Sequence, residues 1–181
     1  MSWEIPDLRL PVTLTVIAGL LAAALIYFLY ELARNEAVFV PLPQETIDEM
    51  LKMAEIRGGD VLYDLGSGDG RVLVAAAKKY EVTAVGIERS RFLAWLSKRK
   101  IARNGLEDKV RIVNSDFFRQ NLSEATVVTA YLSQKMNDKL EPKLRKELKE
   151  GTRIVSADHT FNFTEKARIK TGHFWTHLYM I

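Results

Sequence analysis

The chain has 181 residues, 48% of them hydrophobic and 27% charged, a composition that fits one compact domain with an appendage and excludes a disordered chain. It contains no cysteine, which rules out disulfides, thiolate metal sites and cysteine nucleophiles. The net charge of +3 is unevenly spread: residues 1–40 hold two Lys/Arg against four Asp/Glu, leaving 24 against 19, a net +5, for residues 41–181.

From Leu10 to Tyr30 the chain runs for 21 residues without a charge, long enough as a helix to cross roughly 30 Å of hydrocarbon. Trp3 precedes the run and Tyr27, Phe28 and Tyr30 close it, where aromatic side chains meet the headgroup layers. A cleaved signal peptide fits poorly, because the leader MSWEIPDLR is as acidic as it is basic and no small-x-small site ends the run. We therefore expect residues 1–31 to form a transmembrane segment, residues 32–43 an extended linker and lid ending in Pro41 and Pro43, and residues 44–181 the domain. Arg9 and Arg34 stand on opposite sides of the span, so the flanks do not set its orientation; the basic downstream domain points to the cytoplasm.

Beyond the prolines, Ile47, Met50, Leu51 and Ala54 recur at helical spacing over Gln44–Ile56, with Gly58 and Gly59 as the stop. DVLYDL (60–65) predicts a strand, Arg71–Tyr80 a buried helix, VTAVGIE (82–88) a strand and Ser90–Asn104 a helix. VRIVNSD (110–116) and TVVTAYL (126–132) predict two more strands; Lys135–Glu150 predicts a helix interrupted at Pro142, and TRIVSAD (152–158) a fifth strand. Two strand-like runs around Thr171 and Gly172 suggest a hairpin. The expected class is α/β: a Rossmann-like, doubly wound, mainly parallel seven-stranded sheet with an antiparallel edge hairpin, preceded by one transmembrane helix.

The stretch YDLGSGDGR (63–71) sits where an open parallel sheet binds ligands, at the carboxyl end of its first strand. Gly66, Gly68 and Gly70 run G-x-G-x-G, which is neither the dinucleotide fingerprint G-x-G-x-x-G nor a phosphate-binding G-x-x-x-x-G-K-[ST]. Asp64 and Asp69 repel phosphate but attract the cationic amino group or sulfonium of S-adenosylmethionine. Glu88 ends the second strand, placed to accept from ribose hydroxyls; Asp116 ends the third, followed by Phe117 and Phe118, an acid for the adenine amino group beside a ring for its face.

With these residues the sequence resembles the class I, seven-stranded S-adenosylmethionine-dependent methyltransferases. More narrowly, FVPLP, DVLYDLGSGDGR, VGIE, NSDFF and YLSQKMNDKLEPKLRKELKEGTRIVS are similar to the protein-lysine methyltransferases acting on the ATP synthase c-subunit and the adenine nucleotide translocator, a membrane-anchored group with archaeal relatives. The resemblance spans about residues 38–181. It implies cofactor contacts at Asp64, Gly66, Ser67, Gly68, Glu88, Asp116 and Phe117, and a methyl group facing Tyr131 and Leu132 at the end of the fourth strand. The implied activity is in-line methyl transfer to lysine ε-amines of membrane-associated proteins, by a single-pass membrane enzyme whose domain lies in the cytoplasm.

Tyr131 is the candidate to orient the amine, Phe39 and Pro41 to wall the lysine channel, and Asn137 either to contact substrate or to cap a helix. Methylation of a lipid, a quinone precursor or RNA, and a non-catalytic cofactor-binding adaptor, remain the alternatives. His173 and His177 lie four apart without a third ligand, so no metal is expected. The basic run RSRFLAWLSKRKIAR reads first as a core helix with a solvated cationic face, and nucleic acid is not an expected partner.

Overall fold

The computed structural model describes residues 12–34 and 39–181. They belong to two compact units, one within Met1–Val38 and one spanning Phe39–Ile181. In the first, helix α1 runs over Val12–Arg34. It continues through Glu31–Arg34, where the sequence predicts an extended connector, because ELAR is a run of helix formers without proline or glycine. Val12–Tyr30, 19 residues of mean hydropathy 2.4, is the one helix among the described residues that is long and apolar enough to cross a membrane. Trp3, Leu10 and the linker residues 35–38 lie outside the described residues.

The second unit is a seven-stranded sheet in the order β3-β2-β1-β4-β5-β7-β6. Its strands are β1 Val61–Leu65, β2 Thr83–Glu88, β3 Val110–Asn114, β4 Val127–Ala130, β5 Arg153–Ala157, β6 Glu165–Thr171 and β7 Phe174–Met180. β1 to β5 pair in parallel, while β7 runs antiparallel to both β5 and β6. From β1 the chain builds outward through β2 to β3, then returns to lay β4 on the other flank of β1. The order thus reverses beside β1, and in open α/β sheets ligands bind beyond the carboxyl ends of the strands at such a reversal.

One face of the sheet is covered by α2 (Gln44–Met53), α3 (Arg71–Lys79) and α4 (Arg91–Arg103), whose Ile47, Met50, Leu73, Ala76, Ala94 and Ile101 pack on Leu62, Ala84 and Ile112. The other face is covered by α5 (Gln134–Glu147) through Leu140 and Leu144, and by a short 3-10 turn, Phe117–Arg119. Pro142 does not interrupt α5, contrary to expectation: the helix runs through it. The hairpin around Thr171 and Gly172 forms as read, with Gly172 at φ +59°.

α2 is fastened to the sheet from below. Arg153 of β5 donates to the carbonyls of Ala54 and Glu55, at 2.7 Å each, and to Asp60 Oδ1 at 2.5 Å. Burial pushes Asp60 up, but hydrogen bonds from Thr126, the Arg57 amide and Arg153 outweigh it and hold the carboxyl below 3.8. Arg153→Ala leaves this carboxylate the Thr126 and Arg57 hydrogen bonds but no opposite charge, so it is expected to cost about 1–3 kcal/mol in denaturant unfolding near neutral pH. Because the group is depressed, its contribution is present above 3.8 and is lost as the pH falls through the native value, so the mutational loss should shrink in acid. A loss independent of pH would deny Asp60 this role.

Candidate functional site

Alternation along β1 sends Tyr63 and Leu65 to one face and Leu62 and Asp64 to the other. The chain then turns through Gly66, Gly68 and Gly70 at φ +75°, +54° and +77°, conformations that only glycine adopts without strain. The close approaches are equally strict. A Cβ on Gly66 would lie 2.8 Å from Leu132, one on Gly68 2.5 Å from the Phe39 ring, and one on Gly70 would collide with Ser97 Oγ.

Four amides of this turn are bonded within the protein. Gly66 and Ser67 donate to the Ile87 carbonyl at 2.9 and 3.2 Å, and Gly70 to the Ser67 carbonyl at 2.9 Å. Gly68 donates to Glu88 Oε2 at 2.8 Å, while Ser90 donates to Glu88 Oε1 at 2.7 Å. Glu88 therefore ties the turn after β1 to the turn after β2. A loop that cradles pyrophosphate needs its amides free, and these are not.

Asp64 is 5% exposed and accepts from Thr129 Oγ1 at 2.8 Å, Thr129 being its register partner on β4. Burial, opposed by the Thr129 bond and reinforced by the charges of Glu88 and Asp69, pushes its carboxyl up to about 7. Asp69 behaves differently from the sequence expectation that it draws in a cation. It accepts from Arg71 Nε at 2.9 Å and Lys100 Nζ at 2.5 Å, so its charge is neutralised within the protein. Arg71 also donates to the Leu42 carbonyl at 2.9 Å, which pins the segment before α2 to the turn.

Asp116 caps the 3-10 turn by accepting from the Phe118 amide at 3.0 Å. Phe117, 8% exposed, packs with Leu65 and Ile87 and lies 4.8 Å from the Phe118 ring, so it is a core side chain whose neighbour Phe118 is the more open of the pair. At the end of β4, Tyr131 meets Phe174 edge-on at 6.0 Å and 76°. Burial, then the charge of Asp158, raises the Tyr131 hydroxyl above 10.0, so it stays protonated near neutrality. Leu132 is buried against Gly66, Phe39 covers Gly68, and Pro41 is exposed.

Asn137 does not cap α5. It is 0% exposed, and its amide nitrogen donates to Ser156 Oγ at 3.3 Å and the His159 carbonyl at 3.0 Å, bracing the loop after β5, while its Oδ1 is buried without a hydrogen-bond partner among the described residues. The residue at the N-cap of α5 is Ser133. His177 does have an acidic neighbour, Glu165 Oε2 at 2.7 Å, but among the described residues no group of three or more ligand side chains gathers for a metal. The sequence reading missed Thr129, Ser97 and the Arg71–Lys100 pair; their roles follow from strand order and helix packing, which no local motif encodes.

Gly70→Ala forces a methyl into Ser97 at a strained φ and is expected to destabilise the domain by about 2–4 kcal/mol in denaturant melts. Gly172→Ala, with φ +59° but open space around it, should cost about 1 kcal/mol. Equal losses would remove the packing argument for the third glycine.

Comparison with known proteins agrees with this site. The model of the ANTKMT methyltransferase domain matches residues 64–168. A protein-lysine N-methyltransferase of Saccharolobus islandicus is 40% identical over 139 residues, covering 75% of this chain and 86% of that one. The human lysine N-methyltransferase named for the C-subunit of ATP synthase is 36% identical over 123 residues, covering 68% of this chain; the chain spans about half of that relative, 52%. Among solved structures, an RNA methyltransferase from Salinibacter ruber, in complex with S-adenosyl-L-homocysteine, superposes with a TM-score of 0.77 at 36% identity, over 78% of this chain and 94% of that one. The acids and bonded amides described above suit the same class of ligand, an adenosine-linked amino acid without phosphate. On the extent of these matches the chain belongs to the ANTKMT methyltransferase domain family and is an S-adenosylmethionine-dependent methyltransferase.

Proposed function

We propose that this enzyme methylates lysine ε-amines of proteins in or beside a membrane to which its N-terminal helix anchors it. The observation that carries the reading is the carboxyl edge of the sheet beside β1, where Asp64, Glu88 and Asp116 lie at or just past the ends of three strands near one glycine turn and Tyr131 follows the fourth. The names of the archaeal and human relatives support lysine as the acceptor.

In this reading Asp64 faces the amino group of the cofactor, Gly66 to Gly68 bring the backbone against it, Glu88 accepts from its ribose, and Asp116 with the Phe117–Phe118 pair holds its base. When bound, S-adenosylmethionine supplies an electrophilic methyl carried on a sulfonium. The protein's part is positioning. Tyr131, a neutral phenol at physiological pH, accepts a hydrogen bond from the incoming amine, and Phe39, Leu132 and Phe174 exclude water. An apolar slot disfavours the charged ε-ammonium, so the proton leaves to solvent before the amine attacks.

α1 supports a single-pass anchor, and the net +5 of residues 41–181 supports a cytoplasmic domain. Anchoring raises the effective concentration of acceptors in the same plane without any specific contact. The Salinibacter structure favours a second reading, an RNA acceptor. So does the outer face of α4, where Phe92 and Trp95 stack at 6.0 Å in a helix with no acidic residue.

Incubating the purified full chain with methyl-labelled cofactor and a crude membrane extract separates these readings. We expect label in protein, recovered as methyllysine after acid hydrolysis; label lost to ribonuclease, or extracted with lipid into organic solvent, would contradict lysine as the target. A second expectation follows from Asp64. A cation bound beside it lowers its pKa, so cofactor binding should expel a proton and tighten by up to about tenfold per pH unit below 7, levelling above. Calorimetry in buffers of different ionisation heat reads this directly, and Asp64→Asn should abolish it. Binding without proton release at pH 6 would remove Asp64 from the cofactor's side.

A further inference from the structure

Two residues other than glycine hold a positive φ among the described residues, Glu55 at 45° and Asp158 at 58°. Glu55 follows the C-cap of α2, where a left-handed residue is the ordinary way to end a helix. Asp158 has no such excuse. It directly follows β5, at the carboxyl edge of the sheet that carries the site.

Register brings three elements together there. Ala130 of β4 pairs with Ser156 of β5, and Ala157 of β5 with Thr176 of β7. The residues just beyond these pairs, Tyr131, Asp158 and Phe174 with Trp175, therefore share one rim. The Asp158 amide donates to the Trp175 carbonyl at 2.7 Å, and its Oδ1 accepts from the Trp175 amide at 3.0 Å. That clamp fixes the carboxyl group, while Oδ2 has no hydrogen-bond partner among the described residues. The side chain is half-buried, close enough to Tyr131 that its charge acts on the hydroxyl, and Tyr131 in turn packs on Phe174. An anchored carboxylate with a spare oxygen, beside an aromatic pair, is suited to an alkylammonium group: charge for the nitrogen, ring faces for the methylenes.

We propose that Asp158 is the substrate-binding residue that captures the acceptor's lysine ε-ammonium at the mouth of the site, a role that rests on the lysine reading above. The ion pair forms with the charged amine and loosens as the amine enters the apolar slot and gives its proton to water. A carboxylate stabilises the ammonium and so opposes that deprotonation. Asp158 therefore contributes to capture of the acceptor and not to the rate of transfer once it is bound.

Asp158→Asn isolates the charge. Asparagine tolerates positive φ and its carbonyl accepts from the Trp175 amide as the carboxylate does, so a purely structural role survives the change. The measurement uses the full chain in detergent, labelled cofactor and the membrane extract as acceptor over a dilution series, reading methyllysine, with cofactor affinity from calorimetry. The expected result is an apparent KM for the extract raised about tenfold or more, with kcat not lowered and cofactor affinity unchanged. An unchanged KM overturns the proposal. If Asp158→Asn also loses cofactor binding or its cooperative melt, Asp158→Gly, unstrained at this φ, decides by the same criteria. Should the wild type place no label on lysine, the lysine reading fails and this proposal with it; label on lysine with equal KM in both proteins removes Asp158 alone.

Discussion

The structure depends on one crowded junction. Between β1 and α3 the backbone must reverse within a few residues while three neighbours press against it: Leu132 on Gly66, Phe39 on Gly68 and Ser97 on Gly70. Side chains are excluded there on geometric grounds alone. The amides that glycine exposes are then spent on Ile87, Ser67 and Glu88, which converts a loop that could have gripped phosphate into a rigid lip lined by carboxylates. An acid-lined lip whose glycine amides are bonded within the protein favours a cation over an anion, in keeping with the cofactor class of the family.

The acids around the junction are held in opposite electrostatic states. Asp69 is saturated by Arg71 and Lys100 and sits below its ordinary pKa, since those partners outweigh its burial; its work is to bind α3, α4 and the Leu42 segment together. Among the described residues Asp64 is bonded by the Thr129 hydroxyl alone, and burial raises it to about 7. In the free protein the native state thus keeps a proton on Asp64 that the unfolded chain gives up near 3.8, so its contribution to stability erodes as the pH climbs from there toward 7. A cation beside it relieves that cost. The burial that raises Asp64 also sharpens its preference for a positively charged neighbour.

Much of the fold was readable from the chain. Each strand of the parallel core ends in or beside a residue of chemical consequence, and the apolar runs, the glycine turn and the hairpin around Gly172 stand at their observed places. What escaped was set by neighbours distant in sequence. Nothing local says that Pro142 sits inside a continuous helix, that Asn137 turns inward to hold the loop after β5, or that Lys100, 31 residues on, reaches back to Asp69. Asp158 looked like the last residue of a strand; only the pairing of β5 with β7 shows it turned into the left-handed region at the rim. The resemblance to lysine methyltransferases named the chemistry, while the geometry says which acids remain available to perform it.

Charge selection at the β1 lip underlies both the cofactor class and the chemistry built on it. Titrating the purified full chain in a calorimeter with S-adenosylmethionine and, separately, with a nicotinamide dinucleotide tests it most directly. We predict saturable one-to-one binding of the sulfonium compound and no heat from the dinucleotide at the same concentrations. Tight dinucleotide binding with indifference to the sulfonium compound would contradict the reading of these carboxylates.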